Sequence, residues 1–127
     1  MTLIELNGKF VYKSDKEQYG VNEYWAELEE VDGQLVGDCE SYAITVKRNI
    51  NGFSDWDYYY CKLNGNGHCV LSNGKQIIDN NCKRVTFIDD YMKMFKVEGF
   101  RKYNKLEVFL KFYQAFWLKL WFKIKGK

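Results

Sequence analysis

The stretch "LVGDCESYAITVKRNI", residues 35–50, places a cysteine directly after a Gly-Asp pair, where a helical pattern begins. Asp38 is suited to cap such a helix, because its carboxylate can accept hydrogen bonds from the unpaired N–H groups of the first turn. The sequence therefore predicts a helix over residues 39–50 with Cys39 at its first position. Apolar side chains recur along it at helical spacing, at Tyr42, Ala43, Val46 and Ile50.

Length and composition are those of one folded domain. The chain has 127 residues, of which 46% are hydrophobic and 18% aromatic, which is too apolar for intrinsic disorder. A net charge of +2 argues against binding of nucleic acid through overall charge, and no nucleic-acid partner is expected. The charge is unevenly distributed, because residues 105–127 hold six lysines and one glutamate, a net +5 that leaves −3 for the rest.

The N-terminal sequence and the cysteines predict a cytoplasmic protein. The start lacks the basic segment and apolar run of a signal peptide, and no apolar run reaches transmembrane length. In a reducing compartment the four cysteines are expected to be free thiols. A chain without proline but rich in Lys, Asn, Tyr, Phe and Ile is typical of AT-rich genomes. A phage-encoded protein in a bacterial host is therefore one hypothesis for its source.

Downstream of the helix the hydrophobic period shortens to that of strands. Residues 56–63, 68–72 and 75–81 are rich in β-forming side chains and are separated by the turn sequences NGNG and NG. This pattern predicts a three-stranded antiparallel meander, with residues 84–88 as a candidate fourth strand. Upstream, the sequence predicts a strand pair or an irregular arm over residues 3–13, a short helix over 21–31 and a loop over 32–38.

The meander brings the one histidine of the chain toward a carboxylate. A two-residue turn at residues 73–74 would pair Ser72 with Lys75, and the same register places His68 opposite Asp79. Directly opposed residues of an antiparallel pair lie on the same face, with Cβ atoms about 5 Å apart. The sequence therefore predicts a hydrogen bond between His68 and Asp79.

Cys39, His68 and Asp79 are the residue types that nucleophilic thiol catalysis needs. The field of a helix N-terminus favours the thiolate, an imidazole takes its proton, and a carboxylate fixes the tautomer of the imidazole. Each residue also has a structural interpretation, Cys39 as a buried thiol and the His–Asp pair as a link between two strands. The combination favours a Cys-His-Asp triad and leaves these alternatives open.

The motifs EYWAELEE, VGDCESYA, GHCVL and IIDNN follow one another between residues 23 and 81. In this order they resemble motifs of the bacterial transglutaminase-like cysteine peptidases, a family of the papain/transglutaminase-type superfamily. The resemblance covers about residues 10–90. It implies an α+β fold in which the nucleophile helix packs on a small antiparallel sheet.

The resemblance also implies roles for single residues. Cys39 would be the nucleophile, His68 the base and Asp79 the orienting acid. Trp25 is the candidate to assist oxyanion binding, and Asn80 is either a support for the triad or a turn residue. The expected activity is cleavage of a peptide or amide bond in a protein substrate through a thioester intermediate. The alternatives are transglutaminase or acyltransferase activity on the same fold, and a non-enzymatic binding protein.

Asp38 and Glu40, on either side of the cysteine, are the candidate metal ligands. Some members of the family bind calcium through acids beside the cysteine, so the resemblance implies calcium as an optional cofactor. Ser41 stands where the family usually carries a further acid, whereas calcium prefers about six to eight oxygen ligands. Helix capping and a favourable interaction with the helix dipole are the alternative role of the two acids.

The tail, residues 104–127, is distinct from the preceding domain at residues 1–103. Its apolar residues follow i, i+3, i+4, i+7 spacing between lysines, which predicts a basic amphipathic helix. Phe112, Leu118 and Phe122 widen the apolar arc beyond one packed side. We therefore expect the helix to pack on the domain, to bind a protein partner or oligomerise, or to lie on a membrane surface.

Overall fold

The computed structural model describes residues 1–126, and Lys127, the last residue of the predicted tail helix, lies outside the described residues. These residues form an α+β fold with helices and two sheets, which confirms the fold class at that level. The helices are α1 (Leu3–Lys9), α2 (Asp15–Tyr19), α3 (Cys39–Asn49), α4 (Ile88–Met94) and α5 (Lys105–Ile124).

The strands divide into a small sheet of order β1-β3-β2 and a larger one of order β7-β6-β5-β4-β8. In the small sheet β1 pairs with β3 in parallel, and β2 pairs with β3 in antiparallel fashion. Its strands are β1 (Phe10–Tyr12), β2 (Glu29–Val31) and β3 (Gln34–Gly37). Those of the larger sheet are β4 (Asp57–Leu63), β5 (Asn66–Ser72), β6 (Gln76–Ile78), β7 (Thr86–Phe87) and β8 (Val97–Lys102).

Helix α3 confirms the prediction made from the cysteine segment, with one residue fewer at its C-terminus. The Ser41 amide donates to Asp38 Oδ1 at 3.1 Å, so the aspartate caps the first turn as expected. Residues 41–46 are all buried, so the middle of the helix is enclosed on every side, and Tyr42, Ile44 and Val46 are fully buried. Helix α3 packs against β5, and this contact holds the cysteine end of the helix near the histidine strand.

The larger sheet confirms the predicted meander β4-β5-β6, and β7 is a shortened form of the candidate fourth strand. The β4–β5 hairpin turns through Asn64 and Gly65, with φ of 52° and 83°, as a two-residue hairpin of this twist requires. Strand β8 was not predicted from the sequence. It returns from the C-terminal half of the chain to pair with β4 and completes the sheet.

The prediction for residues 3–13 was wrong, because this segment is helix α1 followed by β1. Thr2 caps the helix by accepting from the Glu5 amide, and Leu6 is fully buried. Asn7 bridges distant parts of the chain, accepting from the Tyr42 hydroxyl at 2.6 Å and donating to the Lys83 carbonyl at 2.6 Å. These long-range contacts favour the helix over the turn that Asn-Gly predicts.

The prediction of a helix over residues 21–31 was also wrong, because the segment is extended and ends in β2. Trp25 and Leu28 are buried as expected, but from an extended backbone. Its N–H groups bond to side chains instead of to a helical carbonyl: Leu28 donates to Thr45 Oγ1 at 2.9 Å. The predicted loop over 32–38 is a turn at residues 32–33 followed by strand β3.

Helix α5 confirms the helix predicted for the tail, and its inner side joins the core through Ala115 and Phe122. No helix within residues 1–126 combines the length and apolar character needed to cross a bilayer. Eight large apolar side chains on the other side of α5 are at least 44% exposed, and we call them the outer face. They are Leu106, Phe109, Leu110, Tyr113, Phe116, Trp117, Trp121 and Ile124.

Candidate active site

Cys39 is placed by the start of α3 and by the strand that leads into it. Strand β3 ends at Gly37, where a Cβ atom would lie 2.7 Å from Leu28 Cδ2 and 2.8 Å from Ser41 Cβ. Only glycine fits between these neighbours without a shift of the chain. The close contact fixes the angle at which the strand enters the helix, and Cys39 is the first helical residue after Asp38.

His68 lies on β5, and its Nε2 is 2.7 Å from Asp79 Oδ2, just beyond β6. The predicted hydrogen bond is therefore present, but the predicted register is wrong. Ser72 pairs with Ile77 instead of Lys75, because Asn73 Oδ1 accepts from the amides of Lys75 and Gln76 and widens the turn. A shift of two residues keeps every side chain on its face, so the two groups still meet on a diagonal.

Asp79 is fully buried and accepts four hydrogen bonds. Tyr91 on α4 donates its hydroxyl to Oδ2 at 2.6 Å, while the amides of Asn81 and Cys82 donate to Oδ1 at 3.1 and 2.8 Å. Burial alone would raise the pKa of Asp79, but the hydrogen bonds from His68, the Cys82 amide and Tyr91 hold it below its usual value. The carboxylate is therefore ionised at neutral pH.

Cys39 and His68 both line one cavity of about 190 Å³. Gly67, beside the histidine, leaves room for the hydroxyl of Tyr60, since a Cβ atom there would lie 3.2 Å from it. The cavity thus brings together Cys39 and His68, two members of the predicted triad. The third member, Asp79, is hydrogen-bonded to His68. Its lining residues are Glu23, Cys39, Glu40, Tyr60, Gly67, His68, Cys69 and Tyr103.

The thiol of Cys39 is not activated by its immediate surroundings. Its Sγ donates to Glu40 Oε2 at 3.0 Å. Burial, the charge of Glu40 and then the neighbouring Cys69 raise the pKa of the Cys39 thiol well above its ordinary value. The expectation that the helix N-terminus lowers this pKa is therefore offset by burial and by the adjacent acids.

Three carboxylates gather beside Cys39. Asp15, Asp38 and Glu40 each place an oxygen within 4.8 Å of the other two, the one such metal-ligand cluster among residues 1–126. Asp15 is 2% exposed, and its Oδ1 has no hydrogen-bond partner, while its Oδ2 accepts from the Tyr24 amide at 2.6 Å. Burial and the charge of Asp38 raise the pKa of Asp15 to about 8 and that of Glu40 to about 7.

This cluster fits a divalent cation by its donors. Hard cations such as calcium take carboxylate oxygens, and a buried carboxylate oxygen without a partner is costly unless a proton or a cation neutralises it. The sequence predicted Asp38 and Glu40 as candidate metal ligands, which stays a prediction, and it missed Asp15, which completes the cluster. In the sequence Asp15 follows Ser14, which caps α2, and therefore has the pattern of an ordinary helix start.

A second concavity of about 500 Å³ lies on another side of His68. Asn80 lines it and is nearly buried; its Nδ2 is 3.5 Å from Asn81 Oδ1, and its own Oδ1 has no partner among the described residues. This oxygen is itself buried, so Asn80 keeps one unsatisfied acceptor inside the protein. The concavity is lined by Phe10, Tyr12, Leu63, Asn66, Gly67, His68, Asn80, Asn81 and Lys83.

Trp25 lies in the aromatic core next to the cavity rather than in its lining. Its Nε1 donates to Glu23 Oε1 at 2.9 Å, and its ring packs edge-on against Tyr58, Tyr103 and Phe112. Glu23 is a lining residue and also pairs with Lys111 of α5 at 2.7 Å. Trp25 thus positions Glu23, and its predicted help to an oxyanion stays a prediction.

Sequence reasoning missed Tyr91 and Glu23 as well as Asp15. Tyr91 follows two aspartates in a short helix with no motif of its own, and only the fold brings it to Asp79. In comparisons with known proteins, no protein-family model and no curated protein matches this chain.

Proposed function

We propose that the protein is a cysteine hydrolase that cleaves a peptide or amide bond in a protein substrate. The observation that carries the proposal is that Cys39, at the N-terminus of α3, shares a cavity with His68, whose Nε2 is paired with the buried Asp79. The helix packed on an antiparallel sheet is compatible with the papain/transglutaminase type of α+β fold. The resemblance of the GDCE and IIDNN segments to that superfamily supports the same interpretation.

The proposed reaction starts with a proton transfer. Since Asp79 is ionised and accepts from Nε2, the Nε2 nitrogen of His68 carries the proton and Nδ1 is left as the base. The Cys39 thiol first shifts its hydrogen bond from Glu40 to Nδ1 of His68. It then transfers its proton to that nitrogen. The thiolate attacks the carbonyl carbon, and the carbonyl electrons move to the oxygen as the C–S bond forms.

The oxyanion is stabilised by the backbone amide of Cys39 at the first position of α3, whereas the Ser41 amide of the same turn is already bonded to Asp38. Collapse of this intermediate breaks the C–N bond, and His68 gives its proton to the leaving amine. Water, deprotonated by His68, then attacks the thioester and releases the acid with the thiol restored. An amine in place of water would give transamidation, which is the related alternative.

Asp15, Asp38 and Glu40 are proposed to hold one calcium ion. When bound, the ion would supply positive charge to the three carboxylates and so offset the repulsion that raises the pKa of the Cys39 thiol. The residues themselves fix the site: Asp38 caps α3, Asp15 is anchored by the Tyr24 amide, and Glu40 lies on the first turn. Calcium remains an optional cofactor of the proposal.

A protein substrate would enter along the concavity of about 500 Å³ that borders His68. Its lining includes the aromatic side chains of Phe10 and Tyr12 and the polar side chains of Asn66 and Asn80. Four free thiols are compatible with a reducing compartment such as the cytoplasm, including that of a phage-infected bacterium.

The test measures the rate of Cys39 alkylation by iodoacetamide between about pH 6 and 9, with and without millimolar calcium. Wild type is compared with His68→Gln, and Cys82, which is partly exposed, is the internal control thiol. In wild type we expect calcium to speed the alkylation of Cys39, and we expect Cys39 to react at a pH below the range in which ordinary thiols react. His68→Gln should remove this gain in rate. Equal rates in the two proteins at every pH, with and without calcium, would overturn the proposal.

One observation favours the second candidate, a non-enzymatic binding protein on the same fold. The thiol of Cys39 bonds to a carboxylate, and its pKa is raised, so the resting site lacks an activated nucleophile. This candidate predicts no calcium-dependent gain in alkylation. An acyltransferase would instead show acylation of Cys39 by a small acyl thioester, which Cys39→Ser would abolish and Cys82→Ser would leave unchanged.

A further inference from the structure

The most unusual surface of the protein is the outer face of α5. The helix has 20 residues, about 30 Å at 1.5 Å per residue. Its aromatic rings pack along the axis, with centroids 6.0 Å apart for Phe109 and Tyr113 and 6.1 Å apart for Tyr113 and Trp117. Soluble proteins rarely leave so many large apolar side chains together in water unless the surface binds something.

The inner side of α5 already holds the helix to the domain, so the outer face is not needed for packing within the protein. Phe122 packs against Tyr19 and Tyr24 with centroids 6.0 and 5.5 Å apart, and Lys111 pairs with Glu23. Residues that pack inward, such as Ala115 and Phe122, are seven apart and so lie on one line of the helix. The outer face is therefore presented to the exterior on a helix whose opposite side is docked on the domain.

Lysines flank the outer face on both sides. At about 100° per residue, Lys105, Lys119 and Lys123 fall along one rim, beside Phe116, and Lys125 falls on the other rim, beside Trp121. Lys125 Nζ lies 5.7 Å from the centroid of the Trp121 ring. The one acid of α5, Glu107, is engaged by Arg101 through two contacts of 3.1 Å. The surface thus joins an apolar, aromatic face to unopposed positive charge.

We propose that the outer face of α5 docks on an anionic phospholipid surface, with the helix lying parallel to the bilayer plane. Aromatic and aliphatic side chains would enter the interface, and the rim lysines would contact the lipid headgroups, which is the arrangement of interfacial amphipathic helices. Tryptophan and tyrosine favour the headgroup level because their rings are apolar with a polar edge.

Charge disfavours the alternative that a second copy covers this face. An antiparallel pair of α5 helices would bring the rim of Lys105, Lys119 and Lys123 against the same rim of the other copy. A parallel pair would bring it against the rim of Lys125. In neither orientation does an unpaired acid of α5 face these lysines, whereas an anionic bilayer is complementary to both rims.

The test is co-sedimentation of the full chain with vesicles of phosphatidylcholine alone or mixed with phosphatidylserine, at low and high salt. We expect binding to the phosphatidylserine vesicles that weakens with salt. The variant Lys119→Glu/Lys123→Glu should bind at least about 25-fold more weakly, since each lysine near such a surface adds about 1 kcal/mol, a factor of about five, and the two glutamates add repulsion. The control Lys75→Glu/Lys93→Glu makes the same change of net charge on exposed lysines elsewhere and should bind like wild type.

The apolar contribution is tested with Phe116→Gln/Trp117→Gln, which changes exposed residues and so should leave the fold intact. We expect binding at least tenfold weaker. The control Phe87→Gln/Met94→Gln removes exposed apolar groups that are not on α5 and should have no effect. No binding of wild type to either vesicle, or equal loss in the variants and their controls, would overturn the proposal. So would a dimer in solution that only the outer-face variant dissociates. None of these measurements involves Cys39, so the outcome is independent of the proposed activity.

Discussion

Replacement of the buried carboxylate of Asp79 by alanine should remove most of the protein's stability. Of its four donors, Tyr91 is fully buried and His68 is 9% exposed, so these two would keep unpaired polar groups inside the protein. A hydrogen bond to a charged group contributes about 1.5–3 kcal/mol, which gives about 3–6 kcal/mol for the two. The amides of Asn81 and Cys82 are only partly buried and can turn to water, so they add little.

The loss is to be measured by urea unfolding at neutral pH, followed by tryptophan fluorescence. The matched control is Asp57→Ala, because Asp57 is a half-exposed carboxylate whose ion pair, with Lys102 at 3.1 Å, lies at the surface. Such a pair contributes about 1 kcal/mol or less. If Asp79→Ala lost no more than Asp57→Ala, the argument that Asp79 organises the buried network would be refuted.

The same carboxylate sets a pH dependence. Because the folded pKa of Asp79 is lowered, its contribution to stability is present above the unfolded pKa of about 4 and is lost as the pH falls through the folded pKa. Asp79→Asn should remove this acid-sensitive part. The side-chain amide that this substitution introduces should also donate to Nε2 of His68, and the imidazole proton would then move to Nδ1. Alkylation of Cys39 should then lose its dependence on the histidine.

Gly37→Ala should destabilise the fold by about 1–3 kcal/mol in urea unfolding, because the new methyl group would lie 2.8 Å from Ser41 Cβ and 2.7 Å from Leu28 Cδ2. Gly8→Ala, where no atom lies within 4 Å in helix α1, is the control and should stabilise by about 0.5–1 kcal/mol. Without calcium, the free energy of unfolding should fall as the pH rises from about 4 to 8, because the pKa of Asp15 is raised to about 8 and the native state holds a proton that the unfolded chain releases. Asp15→Asn should flatten this dependence, and an unchanged slope would contradict the role of Asp15. Calcium should raise the melting temperature of wild type more at pH 8 than at pH 6, since it needs ionised ligands, and Glu40→Gln should reduce the shift.

Local signals in the sequence were sufficient where a structure is set by neighbouring residues. The capped helix after Asp38 and the Asn64-Gly65 hairpin depend on contacts within a few residues, so both were predictable. The hydrogen bond between His68 and Asp79 was also predictable, although the register was not. The reason is that a strand's alternation fixes the face of each side chain, and a slip of two residues leaves that face unchanged.

The sequence was misleading where distant partners decide the backbone. Residues 21–28 have the apolar spacing of a helix, yet Thr45 and Asp15 take up amides of this segment and hold it extended. Helix α1 forms against Asn-Gly chemistry because Tyr42 and the Lys83 carbonyl bind Asn7. Propensity is worth a fraction of a kcal/mol per residue, and a few buried contacts outweigh it.

The sequence by itself determined which chemical groups the protein has and the local frames that hold them: a cysteine at a helix start, a histidine and an aspartate on one face of a hairpin. The tertiary structure alone decided their surroundings. It brought Asp15 to Asp38 and Glu40, set Tyr91 against Asp79, and left the outer face of α5 uncovered. Such arrangements join residues far apart in the chain, and their energies come from burial and charge at contacts that no local pattern specifies.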